Sequence, residues 1–466
     1  MSVITRIPPS PTGLLHVGTV RTALFNYLFS KKNNGKVLFR MEDTDKERSE
    51  RQYEENILSG LKKLGISYDG EVVYQSARTE IYKKYLQQLL DNGKAYKCFC
   101  AKEKLDKIRE EQIANKQAPR HECDCTDKQD QDLPYTIRFK VEQKEVIFKD
   151  LVRGEIKIHS KEISDFVIAK DMDTPLYNFC VVVDDHEMGI THVIRGEDHI
   201  SNTPKQILIF EALGLISPEF AHLPLILNQD KSKLSKRKNK VSVDDFIADG
   251  ILPEALINFL ALLGWNTKDE KEIFTMDELI QEFSLENVNK AGAIFDEKKL
   301  LWINGVYIRS KDISELKYLL KPYLTNVNYL KNGEEFFEKA LILIKDKLKK
   351  LSEIEENIAF FFKDKLEYDK DLFEHQKMKV DQEMAKKSLQ ESISLLESQS
   401  DWSEAALEEA LITRVQELGL KNGQLLWPMR VALTGEKFSP GVFELLHVFN
   451  KEMSMDRLKK GLEKLQ

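Results

Sequence analysis

His16-Val17-Gly18-Thr19 follows directly on a proline-rich turn. Val3, Ile4 and Ile7 are β-formers, and Pro8, Pro9 and Pro11 cannot donate to a sheet ladder, so a strand must end there. A helix beginning near Val17 would aim its N-terminus, which favours anions, at whatever His16 and Thr19 face. Gly18 leaves space for a ring or a phosphate, and His16 adds a hydrogen-bond donor. This chemistry suits a nucleotide. The plainer alternative is a tight strand-to-helix turn with an incidental histidine.

A second group is basic. Lys231, Lys233, Lys236, Arg237, Lys238 and Lys240 crowd one short loop after the apolar run at 223–227. Most such runs are solvated, and a nuclear-localisation-like patch is another reading. Here Ser235 lies between Lys233 and Lys236, and two ammonium groups near a hydroxyl suit a triphosphate. A third group is a pair of arginines, Arg6 and Arg195, at the ends of expected strands. The guanidinium fork matches carboxylate geometry, so together they could bind a small dicarboxylate. Glu42, Asp43 and Asp45 sit at a strand end of the same kind. Capping of the next helix explains Asp43 and Asp45, whereas Glu42 still belongs to the strand.

The cysteines form a fourth group. Cys98, Cys100, Cys123 and Cys125 make two Cys-x-Cys pairs. In an intracellular chain such clustering points to metal rather than disulfides. The pairs could close a tetrahedral thiolate Zn²⁺ site, although a single intervening residue is less usual than two to four. A degenerate site or thiols in a surface hairpin is the alternative. Cys180, within Phe179-Cys-Val-Val-Val, reads as a buried core residue.

The elements that must position these groups follow from composition and pattern. With 466 residues, the chain has room for about three domains. Its 42% hydrophobic and 32% charged residues fit a soluble globular protein. No apolar run reaches the roughly 18 residues that span a bilayer, and no basic-then-apolar leader opens the chain; the expectation is cytoplasmic. The net charge of −7 argues against a basic nucleic-acid coat, but not against one basic face. Residues 1 to about 78 alternate strand, helix, strand, helix, the signature of a parallel sheet. Neither G-x-G-x-x-G nor a P-loop occurs, which excludes the commonest nucleotide folds. Residues 79 to about 178 carry helices near 80–92 and 102–116, then short strands at 135–141, 146–151 and 155–159, a small antiparallel insertion. The α/β pattern resumes with a long buried strand expected at 176–186, a strand over 190–199, a helix over 204–213 and a strand over 223–227. From about 241 the chain reads as helical, with stripes such as Leu341, Ile344 and Leu348 and breaks at Gly333, 369–371, 398–400, Pro428 and 439–441.

His16-Val-Gly-Thr19 and Lys233-Leu-Ser-Lys-Arg237 lie far apart, on two halves of one interrupted α/β domain. The pair resembles the H-I-G-H and K-M-S-K-S signatures of class I aminoacyl-tRNA synthetases. Pro9-Ser-Pro-Thr-Gly, Glu42-Asp-Thr-Asp, Val182-Val-Asp-Asp-His, Ile194-Arg-Gly-Glu-Asp-His and Leu433-Thr-Gly are similar to the bacterial-type glutamyl-tRNA synthetases. The resemblance covers essentially the whole chain and is strongest through residue 310. Thr19 replaces the last histidine of the first signature, as is common in that family, and Pro8 stands where many members have alanine.

The resemblance implies a Rossmann-type class I synthetase catalytic domain, α/β with an α+β insertion, followed by an all-α C-terminal half. It divides the chain into catalytic residues 1–78 and 179–227, an acceptor-stem-binding insertion at 79–178 with the cysteine cluster, and the basic loop and stem-contact domain at 228–307. Two helical anticodon-binding subdomains would follow, at 308–372 and 373–466. The implied activity is ligation of L-glutamate to tRNA(Glu) at the expense of ATP and with Mg²⁺, through glutamyl adenylate, by a monomer. By similarity His16, Lys233 and Lys236 are catalytic. Pro9, Gly18, Thr19, Asp198, His199, Ile226 and Ser235 join them around ATP. Arg6, Pro8, Ser10, Glu42, Tyr177 and Arg195 would bind glutamate, with Arg195 and Arg6 on the side-chain carboxylate and Glu42 on the ammonium. Cys98, Cys100 and Cys125 match ligands of a structural zinc in some relatives. Cys123 is preferred as the fourth, because Zn²⁺ favours thiolate, and Asp127 is the alternative. Rival readings are a non-discriminating form that also charges tRNA(Gln), and a non-catalytic tRNA-binding paralogue.

Overall fold

The structure is a computed structural model that describes residues 2–45, 47–115, 121, 133–159, 163–234, 241–267, 269–325 and 328–466, with only the backbone of Lys102 and Arg109. Two compact units are present: residues 1–247 with 253–303, and residues 248–252 with 304–466.

The first unit is built on parallel strands. β1 (Ile4–Ile7) is followed by α1 (Val17–Lys32), β2 (Lys36–Met41), α2 (Arg51–Lys63) and β3 (Val73–Tyr74). β1 pairs with β2, and β2 with β3, all parallel. α3 (Thr79–Asp91), β4 (Ala95–Cys98), α4 (Lys102–Ala114), β5 (Thr136–Phe139), β6 (Glu145–Asp150), β7 (Gly154–His159) and β8 (Phe166–Ala169) come next. The chain continues with α5 (Tyr177–Glu187), β9 (His192–Gly196), α6 (Thr203–Ala212), β10 (Glu219–Leu223) and β11 (Ile226–Leu227). β9 pairs parallel with β10. No ladder joins β1 to β9. Instead Thr191 N donates to Ile4 O at 3.0 Å, and Ile4 N donates to Thr191 Oγ1 at 2.8 Å. Asn26 of α1 bridges the same seam: its carbonyl accepts from Thr5 Oγ1 and its side-chain amide donates to Ile194 O. From β1 the chain winds outward to β2, and from β9 to β10, so the seam is a topological switch point. Ligands of open α/β sheets bind outside the strand ends at such a crevice.

Three expectations for the first unit are corrected. Residues 176–186 are not a strand. α5 is a helix buried almost around its whole circumference, from Phe179 through Asp185. With no polar face it shows no helical period, and the valine run at 181–183 imitates a buried strand. The insertion is not one antiparallel piece. β4, β5 and β8 form a separate antiparallel sheet, but the β6–β7 hairpin joins the main sheet, with Asp150 registered parallel on Phe220 of β10. Asp43 and Asp45 do not cap the next helix. α2 starts later, at Arg51, while Asp43 accepts from Ser76 N at 2.8 Å and Asp45 from Arg48 Nε at 2.7 Å.

After β11 come α7 (Val243–Ala248), α8 (Pro253–Leu262), α9 (Met276–Glu282), β12 (Ala293–Ile294) and α10 (Glu297–Ser310). The second unit is helical: α11 (Ile313–Leu320), α12 (Glu334–Lys345), α13 (Ile354–Phe362), α14 (Gln382–Ser398), α15 (Glu404–Glu417), α16 (Asn422–Thr434) and α17 (Val442–Glu463). Leu341, Ile344 and Leu348 are buried. Gly333 precedes α12 with φ of 87°, a conformation that favours glycine. Pro428, expected as a break, lies inside α16. Its missing N–H would have served Gln424 O, and Ser388 Oγ of α14 donates to that carbonyl instead, at 2.8 Å. No helix of the described residues is long and apolar enough to cross a membrane.

Candidate active site

A cavity of about 620 Å³ opens at the carboxyl ends of β1 and β9. The sequence dictates why the chain opens there. Pro8 and Pro9 end β1, and Glu42, just past β2, returns a backbone bond from its N–H to Pro9 O at 2.9 Å. His16 stays extended and caps α1. Its Nδ1 accepts from Gly18 N at 2.9 Å, which puts the proton of a neutral ring on Nε2. A Cβ at residue 18 would lie 3.1 Å from that Nδ1, so glycine also secures the cap. His16, Gly18, Thr19, Pro8, Pro9 and Ser10 line one wall.

The opposite wall comes from β9 and the turns beyond it: Arg195, Asp198, His199, Ile226 and Lys233. Lys233 is delivered by a tight hairpin after β11, in which Leu234 N donates to Ile226 O at 3.0 Å and Asn228 N to Ser232 O at 2.8 Å. Its ammonium pairs with Asp198 at 3.0 Å. Burial works against the Asp198 charge, but Lys233 and His199 outweigh it and hold the carboxyl below its ordinary range. Ser235 and Lys236 lie outside the described residues.

Arg6, Glu42 and Tyr177 complete the cavity. Arg6 is 2% exposed, and its Nε meets Asp185 at 3.3 Å, while its Nη1 is buried without a hydrogen-bond partner. Arg195 is 5% exposed; its Nε and Nη2 bond His222 and Thr203, and again Nη1 has no partner. Two buried guanidinium N–H groups thus await an acceptor, and a carboxylate is the matching one. Glu42 meets Arg40 at 3.1 Å. Burial nevertheless pushes Glu42 up, with Arg40 and Arg6 pulling it down. A cation arriving beside it would favour its charged form. Tyr177, at the first turn of α5, places its hydroxyl 3.1 Å from His199 Nδ1. Burial pushes this tyrosine up and His199 down.

Every described residue expected around ATP or glutamate therefore lines one cavity. Arg21 was not expected and lines it too. It is spent on the scaffold: Nη1 donates to Leu263 O at 3.3 Å and Nη2 to Pro224 O. Its position four residues past Val17, on the buried face of α1, was the available signal.

The metal expectation gains a candidate ligand, His121. Cys98, Cys100 and His121 bring three ligand atoms within 4.8 Å of one another. Cys98 Sγ lies 3.5 Å from His121 Nε2. Burial, with Arg138 adding to it, pushes His121 down to about 4, so the ring is neutral and its nitrogen can ligate at neutral pH. Cys123, Cys125 and Asp127 lie outside the described residues. His121 had a signal, the His-x-Cys spacing to Cys123. Cys180 is buried in the core.

Residues 2–302 match the family of class I tRNA synthetases (E and Q), catalytic domain, and residues 315–462 match the anticodon binding domain family. The chain is 42% identical to the glutamate–tRNA ligase of Thermodesulfovibrio yellowstonii over 467 residues, 99% of each chain. It is 43% identical to that of Aquifex aeolicus over 476 residues, again 99% of each. A crystal structure of a glutamate tRNA ligase from Elizabethkingia meningosepticum, in complex with its amino acid, superposes with a TM-score of 0.89 at 32% identity and full coverage of both chains. A crevice at the switch point, a histidine-capped helix, a lysine hairpin and two matched domains converge on one assignment: the chain belongs to the class I tRNA synthetases of the E and Q type.

Proposed function

We infer that the chain is a glutamate–tRNA ligase. The observation that carries this is the pair of buried arginines, each with an unpartnered Nη1, in the same cavity as the His16 cap and Lys233. Arg195 and Arg6 take the side-chain carboxylate of glutamate. Glu42 takes the α-ammonium, and Ser10, Pro8 and Tyr177 close the amino-acid end. The α-carboxylate oxygen attacks the α-phosphorus of ATP; the bond to the β-phosphate oxygen breaks and pyrophosphate leaves. His16 Nε2–H donates to the phosphates, and Gly18 leaves room for them. Lys233, with Lys236 of the following loop, offsets the charge that develops on the leaving group. Such phosphoryl chemistry depends on positioning and charge more than on covalent help. The 2′-hydroxyl of the 3′-terminal nucleotide of tRNA then attacks the activated carbonyl and AMP departs.

Mg²⁺ belongs to the ATP in this reading. The two carboxylates on the cavity wall, Glu42 and Asp198, are already paired with Arg40 and Lys233. Cys98, Cys100 and His121 fit a structural zinc by donor type and proximity, with the fourth donor from Cys123, Cys125 or Asp127. Metal analysis of gently purified protein should give about one zinc per chain; none would end the zinc assignment. The division into catalytic, acceptor-stem, stem-contact and two anticodon-binding parts, at 1–78 with 179–227, 79–178, 228–307, 308–372 and 373–466, is part of the same proposal.

The experiment is ATP–pyrophosphate exchange with glutamate, with and without tRNA, followed by charging of separate glutamate and glutamine tRNA transcripts. Glutamate-dependent exchange and charging of tRNA(Glu) are expected. No exchange with any tRNA would overturn the enzymatic reading. Charging of both transcripts would identify a non-discriminating form.

A further inference from the structure

Arg195 does not meet an acid directly. Its Nε donates to His222 Nε2 at 3.2 Å, and its Nη2 donates to Thr203 Oγ1 at 2.7 Å. No ion pair among the described residues involves it. Behind His222 stands Asp150, whose Oδ2 lies 2.6 Å from Nδ1. Asp150 and His222 are 1% and 0% exposed, so water does not share these bonds. The other carboxylate oxygen, Oδ1, accepts three backbone N–H groups: Val152 at 2.9 Å, Arg153 at 2.7 Å and His222 itself at 3.3 Å.

The proton on the His222 ring has one placement. Guanidinium nitrogens only donate. His222 Nε2 must therefore be bare to face Arg195 Nε–H, and the ring proton sits on Nδ1, where the carboxylate receives it. Thr203 accepts from Arg195 and turns its own hydrogen toward His199 O or His222 Nε2. Burial, with Arg195 and Arg153 adding to it, pushes His222 below its ordinary value against the pull of Asp150, which agrees with a neutral ring. Burial opposes the Asp150 charge, but His222 and the backbone donors outweigh it and keep the acid ionised.

We propose that Asp150 and His222 are positioning residues for the amino-acid substrate: Asp150 fixes His222 as the Nδ1–H tautomer, and His222 holds Arg195 through an uncharged acceptor. Arg195 is thereby immobilised without being neutralised, and its Nη1 and full charge remain for the substrate's side-chain carboxylate. The placement depends on β6 joining the main sheet beside β10, since that pairing brings Asp150 to His222. The proposal rests on the assignment of Arg195 to that carboxylate.

The test separates the two. R195K should raise the KM for glutamate in tRNA-dependent exchange; an unchanged KM would overturn the assignment of Arg195 itself. H222N keeps a donor for Asp150 but no acceptor for Arg195, and should raise the glutamate KM by about 10-fold or more with the ATP KM within about 2-fold. H222Q can return an oxygen to the Nε2 position and should stay within about 3-fold of the parent. D150N touches no substrate. Its amide oxygen is held by three backbone donors, so its NH₂ faces Nδ1, forces the Nε2–H tautomer and sets two donors against each other; glutamate KM should rise as in H222N. Histidine ¹⁵N spectra of the full chain, with His222 assigned by its loss in H222Q, should report Nδ1–H in the parent and Nε2–H in D150N. If R195K raises KM while H222N and D150N do not, or H222Q matches H222N, the positioning role is overturned. An Nε2–H or charged His222 in the parent overturns it even if H222N and D150N fail to fold.

Discussion

Two arginine clusters, each with members lining the same cavity, are built on opposite principles. At the β2 end, Arg40 is 0% exposed and ringed by Asp185 at 2.7 Å, Glu42 at 3.1 Å and Asp184 at 3.7 Å, with Arg6 sharing Asp185. Burial opposes the Arg40 charge, but Asp185, Glu42 and Asp184 outweigh it and raise its affinity for the proton. Asp184 is tied further to Arg78 Nε, Gln75 Nε2 and Tyr82 OH. At the β9 end, Arg195 rests on an imidazole and a hydroxyl, and burial lowers its proton affinity. Arg40 spends its charge within the protein. In the proposed role, Arg195 keeps its charge for a ligand. A buried charge held by neutral dipoles costs stability.

This contrast can be broken or sharpened by mutation. Arg40→Met removes the cation shared by three buried carboxylates, leaving Glu42 without its ion-pair partner while Asp184 keeps Arg78 and Asp185 keeps Arg6, and should cost about 3–5 kcal/mol in urea unfolding. A loss under about 1 kcal/mol would erase the distinction between the clusters. Arg195→Met should cost less stability, about 1–2 kcal/mol, yet raise the glutamate KM by about 30-fold or more. A large stability loss with unchanged KM would make the two clusters alike. Tyr177→Phe removes the hydroxyl beside His199 and should cost about 1 kcal/mol, roughly 5-fold in KM. Acid should separate the clusters least. Burial depresses His192, His199 and His222, so the folded chain refuses protons that the unfolded chain takes up below about pH 6.5. Stability is then full above that pH and falls as pH drops toward the folded values. The thermal midpoint should decline from about pH 7.5 to pH 5.5; a rise on acidification would contradict the neutral imidazoles.

What could be read from the sequence follows the physics of each segment. β1, α1 and β2 were legible because prolines, glycine and helical spacing punctuate them strongly. The cavity residues were grouped mainly by the two paired signatures and the resemblance they carry, and Arg6, Glu42 and Arg195 also by their place at strand ends. α5 was not, since burial on all sides erases the amphipathic period. The pairing of β6 with β10 was hidden because it is long-range, and Asp150 and His222 look like isolated polar residues until that pairing is known. Arg21 gave too little: an arginine on an apolar helix face does not announce that it will tie down two loop carbonyls. Pro428 misled because the compensating hydroxyl, Ser388, lies 40 residues upstream.

α5 also constrains how this chain can change in length. Its first turn presents Tyr177 to the cavity, and its last turns present Asp184 and Asp185 to the arginines below. One residue gained or lost between them would rotate the far end by about 100° and slide it about 1.5 Å. Either the acids or the tyrosine would then lose its partners. Residues 178–183 can therefore exchange side chains of matched volume, while the spacing itself is a fixed ruler between two pieces of chemistry.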